Sequence, residues 1–155
     1  MANLSELKEL PGLEHLKRLR ELNASGCGKL QSIEGLVQLT ELRELNVANL
    51  SELKELPGLE HLTSLRKLNA SGCGKLQSIE GLAQLTGLEV LNVANCCELK
   101  ELPGLEHLKR LRELNASGCG KLQSIEGLVQ LTGLRELNVA NLSELKELPG
   151  LEHLT

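Results

Sequence analysis

The 155-residue chain has no phenylalanine, tyrosine or tryptophan, no aspartate and a single methionine. Without aromatic rings it has nothing to stack on single-stranded bases. Its 17 lysines and arginines are outnumbered by 21 glutamates, for a formal net charge of −4. The composition thus shows no basic stripe of the kind phosphate binding needs, and nucleic acid is not expected as a partner. Long apolar runs are missing too. No stretch approaches the roughly 20 residues of a membrane span, and Met1 leads into Ala-Asn-Leu-Ser-Glu, without the basic and apolar regions of a signal peptide. Cysteines number only five, an odd count that argues for reduced thiols. From these absences we expect a protein with no membrane partner and no signal peptide, from a cytoplasmic, reducing compartment or a recombinant source.

Leucine fills the space the missing residues leave: 40 of them, about a quarter of the chain. They recur in a fixed period. Residues 3–25, 26–48, 49–71, 72–94, 95–117 and 118–140 are units of 23, and a partial unit covers 141–155. Two unit types alternate, so the true repeat is 46 residues; residues 3–48 differ from 95–140 only at Leu4/Cys96, Ser5/Cys97 and Glu41/Gly133. Natural arrays drift further than this, so the near-identity points to an engineered or idealised array, or to a piece of a recently expanded gene. Residues 1–155 read as a single repeat domain.

Leu4, Leu7, Leu10, Leu13, Leu16, Leu19 and Leu22 recur every third residue. At about 100° per residue each step lags a helical turn by about 60°, so these leucines would encircle an α-helix instead of lining one face of it. Pro-Gly at 11–12, 57–58, 103–104 and 149–150 and Glu-Gly at 34–35, 80–81 and 126–127 interrupt the run, and each unit must bend back on itself.

The segment Leu19-Arg-Glu-Leu22-Asn-Ala24-Ser-Gly-Cys27-Gly-Lys-Leu30 resembles the leucine-rich repeat, L-x-x-L-x-L-x-x-N/C-x-L, with one extra residue before the last leucine and alanine at the third apolar position. It recurs at Leu42–Leu53, Leu65–Leu76, Leu88–Leu99, Leu111–Leu122 and Leu134–Leu145. The half-repeat Ile33-Glu-Gly-Leu36-Val-Gln-Leu39 resembles the short repeats of phosphatase-regulatory proteins and bacterial internalins, and Asn-Ala-Ser-Gly-Cys-Gly-Lys-Leu the cysteine-bearing repeats of plant immune receptors. The resemblance implies an α/β solenoid, a leucine-rich repeat horseshoe or arc with a parallel concave sheet. Its strands fall at Leu22–Ala24, Leu45–Val47, Leu68–Ala70, Leu91–Val93, Leu114–Ala116 and Leu137–Val139. The spacing of three in the return segments suits 3-10 turns on the convex side. Leu50 and Leu142 stand where the family has asparagine or cysteine, and Asn49 and Asn141, one residue earlier, are expected to supply the missing bonds to neighbouring backbone.

In this frame Cys27, Cys73, Cys96 and Cys119 form an inward structural ladder of small buried hydrophobes, while Cys97 faces out as the exposed thiol. No metal site is expected, because there is no C-x-x-C or H-x-x-x-H pair, and His15, His61, His107 and His153 lie two rungs, roughly 10 Å, apart. Nucleophile, base and acid recur along the array instead of meeting in one asymmetric pocket, which argues against an enzyme and a cofactor.

The resemblance makes the concave face the interaction surface. Asn23, Asn46, Asn69, Asn92, Asn115 and Asn138 form its outward column, for which amide stacking along the sheet is the simplest reading; no aromatic anchor accompanies them. Departures from the repeat cluster where Lys67, Glu89 and Val90 replace Glu, Arg and Glu, and with Asn69 and Asn92 these make the best candidate protein contact. Repeat-type leucines also stand near both ends in place of a polar cap, so end-to-end self-association is expected. The leading functional reading is a non-catalytic scaffold with a generic protein-interaction or self-assembly surface; the alternative is a ligand-binding fragment of a natural receptor or adaptor.

Overall fold

Leucine at every third position finds its geometry in a chain that turns three residues at a time. In the computed structural model, which describes residues 6–33 and 35–146, each 23-residue unit contributes one short strand and one 3-10 turn. The strands are β1 (Glu21–Asn23), β2 (Glu44–Asn46), β3 (Lys67–Asn69), β4 (Val90–Asn92), β5 (Glu113–Asn115) and β6 (Glu136–Asn138). They form one parallel sheet in sequential order, in register so that Leu22, Leu45, Leu68, Leu91, Leu114 and Leu137 share a row. Opposite it, 3-10 turns at Leu13–His15, Leu36–Gln38, Leu59–His61, Leu82–Gln84, Leu105–His107 and Leu128–Gln130 stack each on the next. Side chains three apart eclipse in a 3-10 turn, which keeps the return leucines on one side. Among the described residues, the helical layer of the solenoid consists wholly of such turns.

The core runs unbroken between the two layers. Leu45, Leu68, Leu91 and Leu114 of the sheet, Leu36, Leu59, Leu82 and Leu105 of the turns, and Leu30, Leu53, Leu76 and Leu99 of the connecting loops are all buried, and no polar or charged side chain among the described residues joins them. At about 1.5–3 kcal/mol for each fully buried leucine, this column is the main source of stability, and each rung needs its neighbours to complete it.

The strands begin and end one residue earlier than the L-x-L pattern places them. At the entry, the Arg20 carbonyl accepts both the Arg43 N–H (2.7 Å) and the Glu44 N–H (3.0 Å), which draws Glu44 into the ladder. At the exit, Asn23 Oδ1 accepts the Ser25 N–H at 3.0 Å and turns the chain immediately. The Ala24 N–H still donates to the Asn46 carbonyl at 2.8 Å, so the inward alanine stays attached after leaving strand geometry.

One residue per rung then enters the left-handed region, and its identity alternates: Gly26 (φ 77°), Asn49 (60°), Gly72 (73°), Asn95 (59°), Gly118 (73°) and Asn141 (59°). Glycine and asparagine reach this conformation at low cost. The alternation is also steric. A Cβ on Gly72 would lie 2.2 Å from Asn49 Oδ1, and one on Gly118 2.2 Å from Asn95 Oδ1, so each asparagine side chain fills the space left by the next rung's glycine. Asn49 therefore does not bond neighbouring backbone through its side chain as expected. It is a left-handed turn residue whose link to the next rung is its own N–H, donated to the Ser71 carbonyl at 2.8 Å.

Candidate functional site

The concave face is assembled from the outward residues of three-residue strands. In each, the first and third residues face out and the central leucine faces in. The third is always the asparagine. Its Oδ1 accepts the backbone N–H two residues on: Ala48 for Asn46, Ser71 for Asn69, Ala94 for Asn92 and Ser117 for Asn115, all at 3.0 Å. Where a serine follows, its hydroxyl donates to the same oxygen, at 2.7 Å for Ser71 and Ser117. The asparagine column is thus a row of local turns that close each strand, with oxygens turned toward their own chain in place of an amide-to-amide ladder.

These strands line a groove of about 510 Å³ across β1 to β4. Lys67, Asn69, Val90 and Asn92 of the candidate patch all border it, and Glu44 and Lys67 pair there at 3.3 Å. Glu89 does not belong to the groove wall. It precedes the strand and occupies a different column, together with Arg20, Arg43, Arg66, Arg112 and Arg135. The main chains of this column are bonded rung to rung: Arg43 N–H donates to the Arg20 carbonyl (2.7 Å), Arg66 to Arg43 (2.8 Å), Glu89 to Arg66 (2.7 Å), Arg112 to Glu89 (2.8 Å) and Arg135 to Arg112 (2.7 Å).

That column corrects an expectation drawn from composition. A net charge of −4 conceals a basic edge, because all seven arginines lie in the segments that lead into the strands. Residues 17–21 and their five counterparts hold ten of the 17 cations and six of the 21 acids. Every one of these arginines is exposed, and among the described residues none takes part in an ion pair. The signal was present in the sequence as arginine at intervals of 23, but a whole-chain charge sum averages it away.

Cys27, Cys73, Cys96 and Cys119 are buried, Cys97 is exposed, and none of the five is joined to another. The thiols of Cys73, Cys96 and Cys119 lie 3.0–3.1 Å from the carbonyls of Val47, Ala70 and Val93 in the preceding rung. Burial raises the thiol pKa of all three above the ordinary value; for Cys96 the thiolates it would face at Cys73 and Cys119 add to the effect. Such thiols are poor nucleophiles. His15, His61 and His107 sit on the 3-10 turns, exposed, each 3.4–3.5 Å from the glutamate preceding it; His153 lies outside the described residues. No group of three metal-ligating side chains forms among the described residues, and no helix there is long and apolar enough to cross a membrane.

Comparison with known proteins adds to this geometry. The family model for leucine-rich repeats in two copies matches residues 63–107 and 86–130. The solenoid is built of leucine-rich repeats. Among solved structures, the leucine-rich repeat domain of the type III effector XopL shares 25% identity over 86% of this chain and 57% of its own, with a TM-score of 0.61. The internalin InlF of Listeria monocytogenes shares 24% identity over 92% of this chain and 53% of its own (TM-score 0.58). Internalin C2 of the same organism shares 21% over 96% and 73% (TM-score 0.54). The likeness to the internalins is one of fold, and the chain spans little more than half the length of XopL's repeat domain and of InlF. No curated protein matches the sequence.

Proposed function

We propose that this leucine-rich repeat solenoid is a non-catalytic scaffold that binds protein through its concave side. The observation that carries the reading is the groove over β1 to β4, where Lys67 and Val90 take the place of the glutamate found in every other rung. A repeating surface supplies equivalent shallow sites in place of one enclosed pocket, which favours interaction over catalysis. The near-identity of the double repeats favours an idealised array as the origin over a fragment of a natural receptor.

The test is capture at micromolar concentration by the intact chain, by Lys67→Glu/Val90→Glu, which restores the column's glutamates, and by Val37→Ala on the convex side. Binding lost in the first variant and kept in the second is expected; the reverse contradicts the reading. A second reading, self-association through the end rungs, is supported by Leu19 and Leu22 at one end and Leu134, Leu137 and Val139 at the other, core-type residues that stay only partly buried. Sedimentation across a concentration series should then show weight-average mass rising with concentration, and a constant monomer mass contradicts it.

A further inference from the structure

The arginine edge has a spacing and a gap, and together they describe a ligand. Successive rungs of a parallel sheet are about 4.8 Å apart. Arg20, Arg43 and Arg66 occupy three consecutive rungs, Glu89 the fourth, and Arg112 and Arg135 the next two. The pattern along the edge is therefore three positive rungs, one negative and two positive. Arginine's planar fork is suited to carboxylate and phosphate alike, but the negative rung at Glu89 disfavours a uniformly dense polyanion such as a nucleic-acid backbone and admits a ligand whose charge changes sign there.

The rung spacing selects the conformation of the partner. An α-helix returns to the same face every turn, about 5.4 Å, and over five rung intervals it drifts from the arginines by only about 3 Å, within the flexing range of these side chains. An extended strand presents alternate residues about 6.6–6.8 Å apart and over the same span runs out of register by about 9–10 Å. We infer that the arginine edge docks an acidic helix of a partner protein, with one carboxylate per turn facing Arg20, Arg43 and Arg66, a cationic or neutral turn facing Glu89, and carboxylates again facing Arg112 and Arg135. This inference rests on the scaffold reading and places the contact on the edge of the sheet that leads into the strands.

The experiment uses the full 155-residue chain and a labelled synthetic helical peptide, with glutamate on one stripe for three turns, lysine on the fourth turn and glutamate on the next two. Fluorescence anisotropy should show saturable, salt-sensitive binding, at least about tenfold tighter than for a peptide of the same composition with the order scrambled, since the full array of pairs is then out of register. Arg43→Gln and Arg66→Gln should each weaken binding about threefold, as exposed ion pairs do. Glu89→Arg should weaken it too, yet strengthen binding of a peptide whose fourth-turn lysine is glutamate, a gain that misfolding cannot produce. Equal binding of the scrambled peptide, indifference to the arginine variants, or tighter binding of a DNA duplex or of anionic phosphatidylserine vesicles than of the peptide overturns the inference. If the arginine variants are silent while Lys67→Glu/Val90→Glu abolishes capture of a protein partner, the edge is refuted and the scaffold reading survives.

Discussion

Residues at one column position behave differently according to their own side chain, even where the adjacent rung offers the same carbonyl. Ser51 and Ser143 donate their hydroxyls to the carbonyls of Gly28 and Gly120 in the rung before, at 3.0 and 3.2 Å, whereas Cys97, at the same position, has its thiol 3.6 Å from its own Asn95 carbonyl. Cys97→Ser should therefore recover the bond to Gly74, leaving stability unchanged or raising it by up to about 1 kcal/mol, while abolishing rapid labelling by a thiol reagent in the native state. Cys27, Cys73, Cys96 and Cys119 should label only after unfolding. Burial also sets a pH dependence for three of these thiols. The thiols of Cys73, Cys96 and Cys119 hold their protons in the folded chain above the ordinary thiol pKa of about 8.5. The unfolded state therefore binds fewer protons there, and stability, complete below that value, falls as pH rises past it, by up to about 1.4 kcal/mol per pH unit for each thiol. Urea unfolding of Cys96→Ala between pH 8 and 10 should show a shallower decline than the parent; an equal slope would mean that the buried thiol is not the group responsible.

At the scale of the element, short strands and tight turns live on hydrogen bonds and packing that single side chains control. Asn69 Oδ1 accepts two hydrogen bonds, from the Ser71 N–H and hydroxyl, and Asn92 Oδ1 one, from the Ala94 N–H. Asn69→Ala should therefore cost about 1–2 kcal/mol more than Asn92→Ala, measured by chemical denaturation; equal costs would show the serine hydroxyl to be idle. Glycine at the turns gives a second contrast. Gly26 has open space where a Cβ would go, whereas a Cβ on Gly104 would lie 2.2 Å from the Ala83 Cβ and 2.7 Å from its Cα. Gly26→Ala should cost only the left-handed strain, about 1–2 kcal/mol, and Gly104→Ala clearly more, because backbone must move. The turns and the inward leucines are legible from spacing alone. The one-residue offset of the strands is not, because it depends on the doubly accepting carbonyl at Arg20 and the side-chain turn at Asn23, which a pattern of apolar positions does not encode.

For the whole molecule, the unit that stacks is the pair of rungs. Four columns alternate in step: glutamate with lysine at positions 6, 29, 52, 75, 98 and 121, glycine with asparagine at the left-handed turn, alanine with valine after the strand, and cysteine with leucine beside it, broken only at Cys96. Lys75 and Lys121 bond Glu52 and Glu98 of the preceding rung at 3.0 and 2.8 Å, and Lys29 bonds Glu6. Each exposed pair contributes little alone, but loss of a single rung would set lysine against lysine where the array is joined. The same register hides the arginine edge from a charge total and reveals it once residues 23 apart are read as neighbours, so the proposed docking edge is legible in the sequence only after the repeats are laid side by side. The alternation is tested by two deletions. Removing residues 49–94 joins Ala48 to Asn95 and preserves it; removing residues 49–71 joins Ala48 to Gly72 and sets Lys29 against Lys75, Gly26 against Gly72 and Val47 against Val93. Urea unfolding of the two chains measures the coupling between rungs directly. The shorter chain, with its alternation intact, should be the more stable; a longer chain at least as stable would show that the rungs are interchangeable layers of leucine.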